Sequence, residues 1–246
     1  MKQLIRSELR KLTTTNMPWA FLGALFAIAA INAFAVIAAT DFDGSKTFIS
    51  TEVDQQSLVA FAANGFVLAS LFGAIAVARE YGHHTVVPTF LAAPRRHRAV
   101  LAQVSAVAVG GAVLSMVGAG LTVSAVAISL PTTEYGFLIS AGHVVQIVAA
   151  SAFAGAAGAV FGAGIGAVVR NVGGAVTGVV LMLIVAPPLI VQLANSTASW
   201  MPNSLALVLA GVTTDVSDPA AVAALSAWAL VPAGIGLVAV QRRDVI

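Results

Sequence analysis

The residues of this sequence able to do chemistry are few, and most sit in one stretch, REYGHHTVVPTFLAAPRRHR, from Arg79 to Arg98. It gathers Arg79, Glu80, Arg95, Arg96 and Arg98 between two long uncharged runs. Each such charge costs about 2.5–3.5 kcal/mol at a bilayer centre, so the segment stays in water. Between the charged ends, Val86 to Ala93 is nearly apolar and is interrupted by Pro88 and Pro94. That pattern implies a short surface helix bracketed by charge, a docking element that another protein can grip. His83 and His84 are adjacent, so on a helix they would point about 100° apart, which favours solvated loop histidines over a metal site. His97 and His143 complete the histidines, and there is no cysteine, which excludes disulfides, thiolate metal sites and cysteine nucleophiles. No P-loop, dinucleotide fingerprint or zinc motif occurs.

The elements around this stretch read as membrane. Of the 246 residues, 59% are hydrophobic and 9% charged, with a mean hydropathy of +0.96. A soluble domain carries roughly 25% charged residues, so residues 1–246 read as one polytopic, all-α membrane domain. Six uncharged runs are long enough for a core ~30 Å thick, which takes about 20 residues. They are Leu12–Thr40, Gln55–Ala78, Ala99–Thr133, Tyr135–Val169, Asn171–Thr214 and Pro219–Gln241. With six spans, Lys46 is the only Lys or Arg separated from the others, which share one side with both termini. The bias places the termini in the cytoplasm of a cell (plasma or inner) membrane. No Asp, Glu, Lys or Arg lies within any span, whereas ion-coupled carriers and voltage sensors usually need them. Any energy for transport would therefore enter from outside the chain, and the cytoplasmic loop is the evident entrance.

Residues 1–16 form an amphipathic pattern, with Leu4, Ile5, Leu9 and Leu12 on one face and Lys2, Arg6 and Arg10 opposite. This describes a cytoplasmic interfacial helix. The apolar stretch after it, about Met17 to Ala39, is too long for a signal-peptide core. Glu8 projects into the apolar face, either as an ordinary pair with Lys11 at i+3 or as a carboxylate aimed at an arginine of the docking segment. The acidic loop Thr40–Asp54 has Asp43-Gly44 as its expected turn.

The second span, about Ser57 to Ala78, carries Phe61, Asn64, Phe66 and Phe72. Asn64 reads first as interhelical glue and second as a pathway contact. The third and fourth runs exceed what a straight span needs, so they tilt or extend beyond the bilayer. In the fourth, Gly158, Gly162 and Gly166 recur every four residues, the spacing that lets two helix backbones approach closely. Gly110, Gly111, Gly118 and Gly120 nominate the third span as the partner. The fifth span, about Val172 to Val185, meets Pro187-Pro188, which cannot continue a regular helix. Residues 194–219 are then expected as a re-entrant or surface segment on the outer side, with Trp200 at the interface.

Taken together, these motifs resemble the membrane subunit of type-2 ABC exporters. The first cytoplasmic loop of that family is matched by Glu80, Thr85, Thr89 with Phe90-Leu91, and Pro94-Arg95-Arg96. The basic pre-membrane helix is matched by Glu8-Leu9-Arg10-Lys11. Gly162 to Ala175 around Arg170-Asn171, Met201-Pro202-Asn203 and Arg243-Asp244 extend the resemblance over the chain. Gln103 departs from it, where many relatives carry Lys. The resemblance implies a type V exporter-like fold with a coupling helix in residues 79–98. Glu80, Thr85, Thr89, Leu91, Pro94, Arg95, Arg96 and Glu8 would couple to the ATPase. It also implies two soluble ATPase subunits as partners, a second permease copy or paralogue, surrounding membrane lipids, and no nucleic acid. ATP and Mg would sit on the ATPase, with no cofactor, metal or catalytic residue on this chain. Phe61, Asn64, Phe66 and Met182 would line the substrate path for a drug, peptide antibiotic or lipid. A secondary carrier or channel, or a membrane anchor for a larger complex, shares the topology.

Overall fold

A computed structural model describes residues 2–41, 44–82 and 96–242. Thr85, Thr89, Leu91, Pro94 and Arg95 of the docking stretch lie outside the described residues, as do His83, His84, Asp43, Arg243, Asp244 and the Arg96 side chain. The described residues form helices and no strand: α1 Lys2–Thr13, α2 Met17–Ala38, α3 Glu52–Ala62, α4 Phe66–Gly82, α5 Arg96–Ser129, α6 Ala141–Val169, α7 Val172–Val180, α8 Ala186–Leu193, α9 Pro202–Leu209 and α10 Asp218–Arg242. A π-helical turn, Leu181–Val185, joins α7 to α8. Counting α3–α4 and α7–α8 as one crossing each, six helices are long and apolar enough to span a membrane. At its N-terminal end, α5 begins within the expected docking stretch, at Arg96. Its 34 residues run about 50 Å, so it extends past a core ~30 Å thick.

The bundle is built around α6, which packs against α4, α5, α7 and α10. A helix can have that many neighbours only if little side chain stands between the axes. Along one face, a Cβ at Gly158, Gly162 or Gly166 would run into the carbonyl oxygens of Phe66, Ser70 and Ala74 in turn. The glycine stripe therefore meets the second span, not the third as the sequence suggests. The third span uses a neighbouring face, where a Cβ on Gly111 would approach the Gly155 carbonyl to 2.5 Å, and one on Gly155 the Gly111 carbonyl to the same distance. On a third face, Gly164 abuts the backbone of Pro232 in α10. Gly118, expected on α6, instead sits under Leu25 of α2. A spacing of four residues specifies a close approach but not which helix supplies the backbone.

Two spans are less regular than their sequences suggest. The second breaks at residues 63–65: Asn64 Oδ1 accepts from the Phe66 N–H at 3.2 Å, closing an Asx-type turn, and its Nδ2 donates to the Asn203 carbonyl at 3.2 Å. Asn64 is thus interhelical glue as well as the punctuation of its own span. The fifth span does not stop before Pro187-Pro188 but continues to Leu193. The π turn, whose Ala186 N–H reaches the Leu181 carbonyl, resets the register so that both prolines occupy the first turn of α8. Their missing N–H groups are orphans there in any helix.

Residues 195–209 bend into the bundle. Asn203 meets Asn64, the Trp228 indole N–H donates to the Trp200 carbonyl at 3.1 Å, and Leu205 is fully buried. Trp228 lies ten residues inside α10, so the chain at Trp200 is fastened beside the middle of that helix. Buried amides tie down the loops at this end. Gln55 donates to the Ile49 and Gly136 carbonyls at 3.0 and 2.9 Å and accepts from the Leu138 N–H at 2.9 Å. Gln56 and Gln146 each donate at 3.1 Å, to Ala210 and Leu209. Glu52 receives His143 at 2.9 Å, joining the starts of α3 and α6.

Gly162→Ala is expected to lower the thermal midpoint of the purified protein, since overpacking costs about 1–3 kcal/mol. Gly120→Ala, with open space at its Cβ, should match or exceed wild type, because alanine is favoured over glycine in a helix by about 1 kcal/mol. Equal midpoints for the two variants would show that α6 and α4 are not in backbone contact.

Candidate functional site

The site begins where the docking stretch leaves α4. On α1, Glu8 and Lys11 are one turn apart, and Lys11 Nζ meets Glu8 Oε1 at 2.7 Å. The same ammonium lies 3.4 Å from Glu80 Oε1, in the last turn of α4. Gln103, near the start of α5, hydrogen-bonds Glu80 as well. Glu8 therefore makes the ordinary i+3 pair with Lys11, and Lys11 in turn reaches Glu80 of the docking stretch; Arg95 and the Arg96 side chain lie outside the described residues. The burial of Glu8 follows from the sequence: an acid within the apolar stripe of α1 goes wherever that stripe packs, here onto α5.

The electrostatics turn on Lys11. Partial burial works against its charge, but the Glu8 hydrogen bond and the fields of Glu80 and Glu8 outweigh that and hold the ammonium above its ordinary value. A raised cationic group stabilises fully below its unfolded value and loses that contribution only as pH rises through the folded one. Lys11 accordingly carries its charge at neutral pH. The crevice between these residues holds about 10 Å³, room for one water at most. Among the described residues the cluster joins three helices, α1, α4 and α5.

Tyr81 continues the junction on the other side of α4. The Arg170 guanidinium lies 5.1 Å from the Tyr81 ring centroid, and its Nη2 donates to the Ala239 carbonyl of α10 at 3.3 Å. Among the described residues, the buried Arg170 Nε has no hydrogen-bond partner, and the aromatic face offsets the guanidinium charge. Arg170 itself has φ 58°, the left-handed conformation that ends α6, and Asn171 then caps α7 through the Gly174 N–H at 3.1 Å. The root of the docking stretch is thus fastened to α1 and α5 through Glu80, and to α6 and α10 through Tyr81. Tyr81 does not stand out in the sequence as part of a site, and Lys11 stands out only as a neighbour of Glu8. The signal available for Lys11 was its spacing from Glu8; for Tyr81 it was only its position next to Glu80.

The four residues that the resemblance would place on a path between two copies have different surroundings within the single chain. Phe61 is exposed, and Asn64 is committed to the Asn203 backbone. Phe66 is fully buried, 6.0 Å from the Phe161 ring within the chain's own core, and so corrects its expected place on an open path. Its backbone carbonyl lies where a Cβ on Gly158 would stand, so α4 and α6 are in close contact at this residue. Met182, on the π turn, is half-exposed and lines a groove of about 550 Å³ between α6 and α10.

Replacing Lys11 by Met leaves two neighbouring carboxylates without their shared cation. Breaking a buried pair costs about 3–5 kcal/mol, and less here because Lys11 is 40% exposed. Lys11→Met should therefore lower the thermal midpoint more than Glu8→Gln, which keeps the Lys11–Glu80 contact and removes a like charge. The reverse order would mean that Lys11 does not bridge the two acids. A scan against protein-family models finds no match to this chain, and a search of curated proteins finds none either.

Proposed function

We propose that this chain is the membrane-spanning subunit of an ATP-driven exporter of the type-2 ABC class. It would work as a pair with a second copy or paralogue and with two separate ATPase subunits. The observation that carries the reading is the Lys11 bridge between Glu8 and Glu80, backed by Tyr81 on Arg170. It fastens the root of a charged loop to four helices at once, as a device that receives a push requires. ATP and Mg act on the partner, and closure of the ATPase dimer displaces residues 79–98. The α4 root then carries the displacement to α1 and α5 on one side and to α6 and α10 on the other. Rigid-body rearrangement of packed helices is an available route for such a transition. The cargo is hydrophobic or amphipathic, a drug, a peptide antibiotic or a lipid, and moves outward from a cytoplasm that holds both termini.

Co-purification tests the partnership. A tagged chain solubilised from its own membrane is expected to retain an ATP-hydrolysing subunit and to lose it when residues 86–94 are deleted. An unchanged set of partners after the deletion would refute the reading, as would transport that survives ATP depletion and collapses with the proton gradient. Glu80→Ala is further expected to leave membrane insertion and basal ATP turnover in place while transport falls.

A further inference from the structure

We propose that α1 binds the headgroups of anionic phospholipids in the leaflet it borders, with Arg6 and Arg10 as the contacting groups. This inference stands apart from the exporter reading and needs no ATPase.

Four edges run along α1, about a quarter-turn apart at roughly 100° per residue. Glu8 marks the first, buried against the bundle, with Leu12 packed beside it on the core around Leu25. Ile5 and Leu9 form the second and are half-exposed apolar surface. Ser7 and Lys11 lie opposite them, and Lys11 is turned toward Glu80 at the root of the docking stretch. Arg6 and Arg10 lie opposite Glu8 and are exposed.

This cross fixes where the arginines point. Only residues 14–16 separate α1 from α2. Trp19, in the first turn of α2, is 71% exposed, the usual station of an aromatic at headgroup depth. A helix tethered at that level turns its apolar edge to hydrocarbon and the opposite edge to water. With Ile5 and Leu9 toward hydrocarbon, Ser7 and Lys11 face water. Arg6 and Arg10, a quarter-turn from both and directed away from the bundle, extend sideways within the headgroup layer. A soluble protein gripping residues 79–98 meets the Lys11 edge instead.

Charge selects the lipid. The single acid of α1 is Glu8, which is buried and paired with Lys11, so no carboxylate of this helix reaches the outward edge. Among the described residues neither Arg6 nor Arg10 makes an ion pair. Two guanidiniums one turn apart present forked N–H donors that suit phosphate oxygens. A phosphatidylglycerol headgroup carries net negative charge and is attracted to them, whereas the choline of phosphatidylcholine brings a cation that cancels the attraction.

The test titrates the detergent-solubilised full chain with phosphatidylglycerol and phosphatidylcholine of identical acyl chains. Native mass spectrometry reads the lipid retained per protein. Phosphatidylglycerol is expected to bind about fivefold more tightly than phosphatidylcholine for each arginine. Replacing both, Arg6→Gln with Arg10→Gln, should bring the ratio to about one while phosphatidylcholine retention stays the same. The charge-keeping pair Arg6→Lys with Arg10→Lys should retain the preference, which separates loss of charge from loss of fold. Arg242→Gln removes an exposed cation of α10 and should leave the ratio unchanged. A preference that survives the glutamine pair, disappears in the lysine pair, or falls as much with Arg242→Gln would overturn the assignment. A glutamine pair that keeps the lipid preference but sheds a co-purifying soluble subunit would give the arginines to a protein partner instead.

Discussion

Backbone-to-backbone contact along α6 is the constraint on which the other features of this chain depend. Lipid tails are as apolar as leucine, so burying hydrocarbon gives helices little reason to associate within a bilayer. What remains is close packing, and α6 achieves it on three faces by presenting glycine to the carbonyls of α4, to Gly111 of α5 and to Pro232 of α10. A side chain on any of these faces would separate two helices and open the bundle. The core that results is made largely of alanine and glycine, with Phe66, Phe72 and Phe161 as its largest fully buried members.

The irregular points of the fold lie along that axis. The break at residues 63–65, the π turn, Pro232 and the left-handed Arg170 all belong to α6 or to helices packed on it. Each is a place where the helix hydrogen-bond ladder is interrupted, and in a membrane such places persist only where protein groups satisfy the freed backbone. Asn64 and Asn171 do so with their own side chains. At one end of the bundle Gln55, Gln56 and Gln146 perform the same office for loops, which makes that end a tightly fastened cap. The opposite end is held by charge, through Lys11, Glu80, Tyr81 and Arg170. Amide hydrogen bonds fix one geometry, whereas an ion bridge around a partly wet lysine tolerates small displacements.

The groove is a by-product of the same packing. Because α7 and α10 spend their contacts on α6, neither closes against the other, and the space left is shaped by Met182 and Val231 in place of a helix–helix interface.

By itself the sequence determined the all-helical, multi-span class, the number of crossings, the amphipathic α1 and the existence of a close-packed glycine face. These follow from composition, run length and period, which are local properties of the chain. The pairing of Glu8 with Lys11 was legible for the same reason, being one turn apart. Only the tertiary structure decided which helix meets Gly158, Gly162 and Gly166, that Phe66 faces inward, and that Glu80 shares a lysine sixty-nine residues away. It also decided how the fifth span passes Pro187, because a π turn depends on what the surrounding helices demand and leaves no periodic trace. Spacing states which residues share a face; it does not name the neighbour, because that choice is made by several helices competing for the same surface of α6.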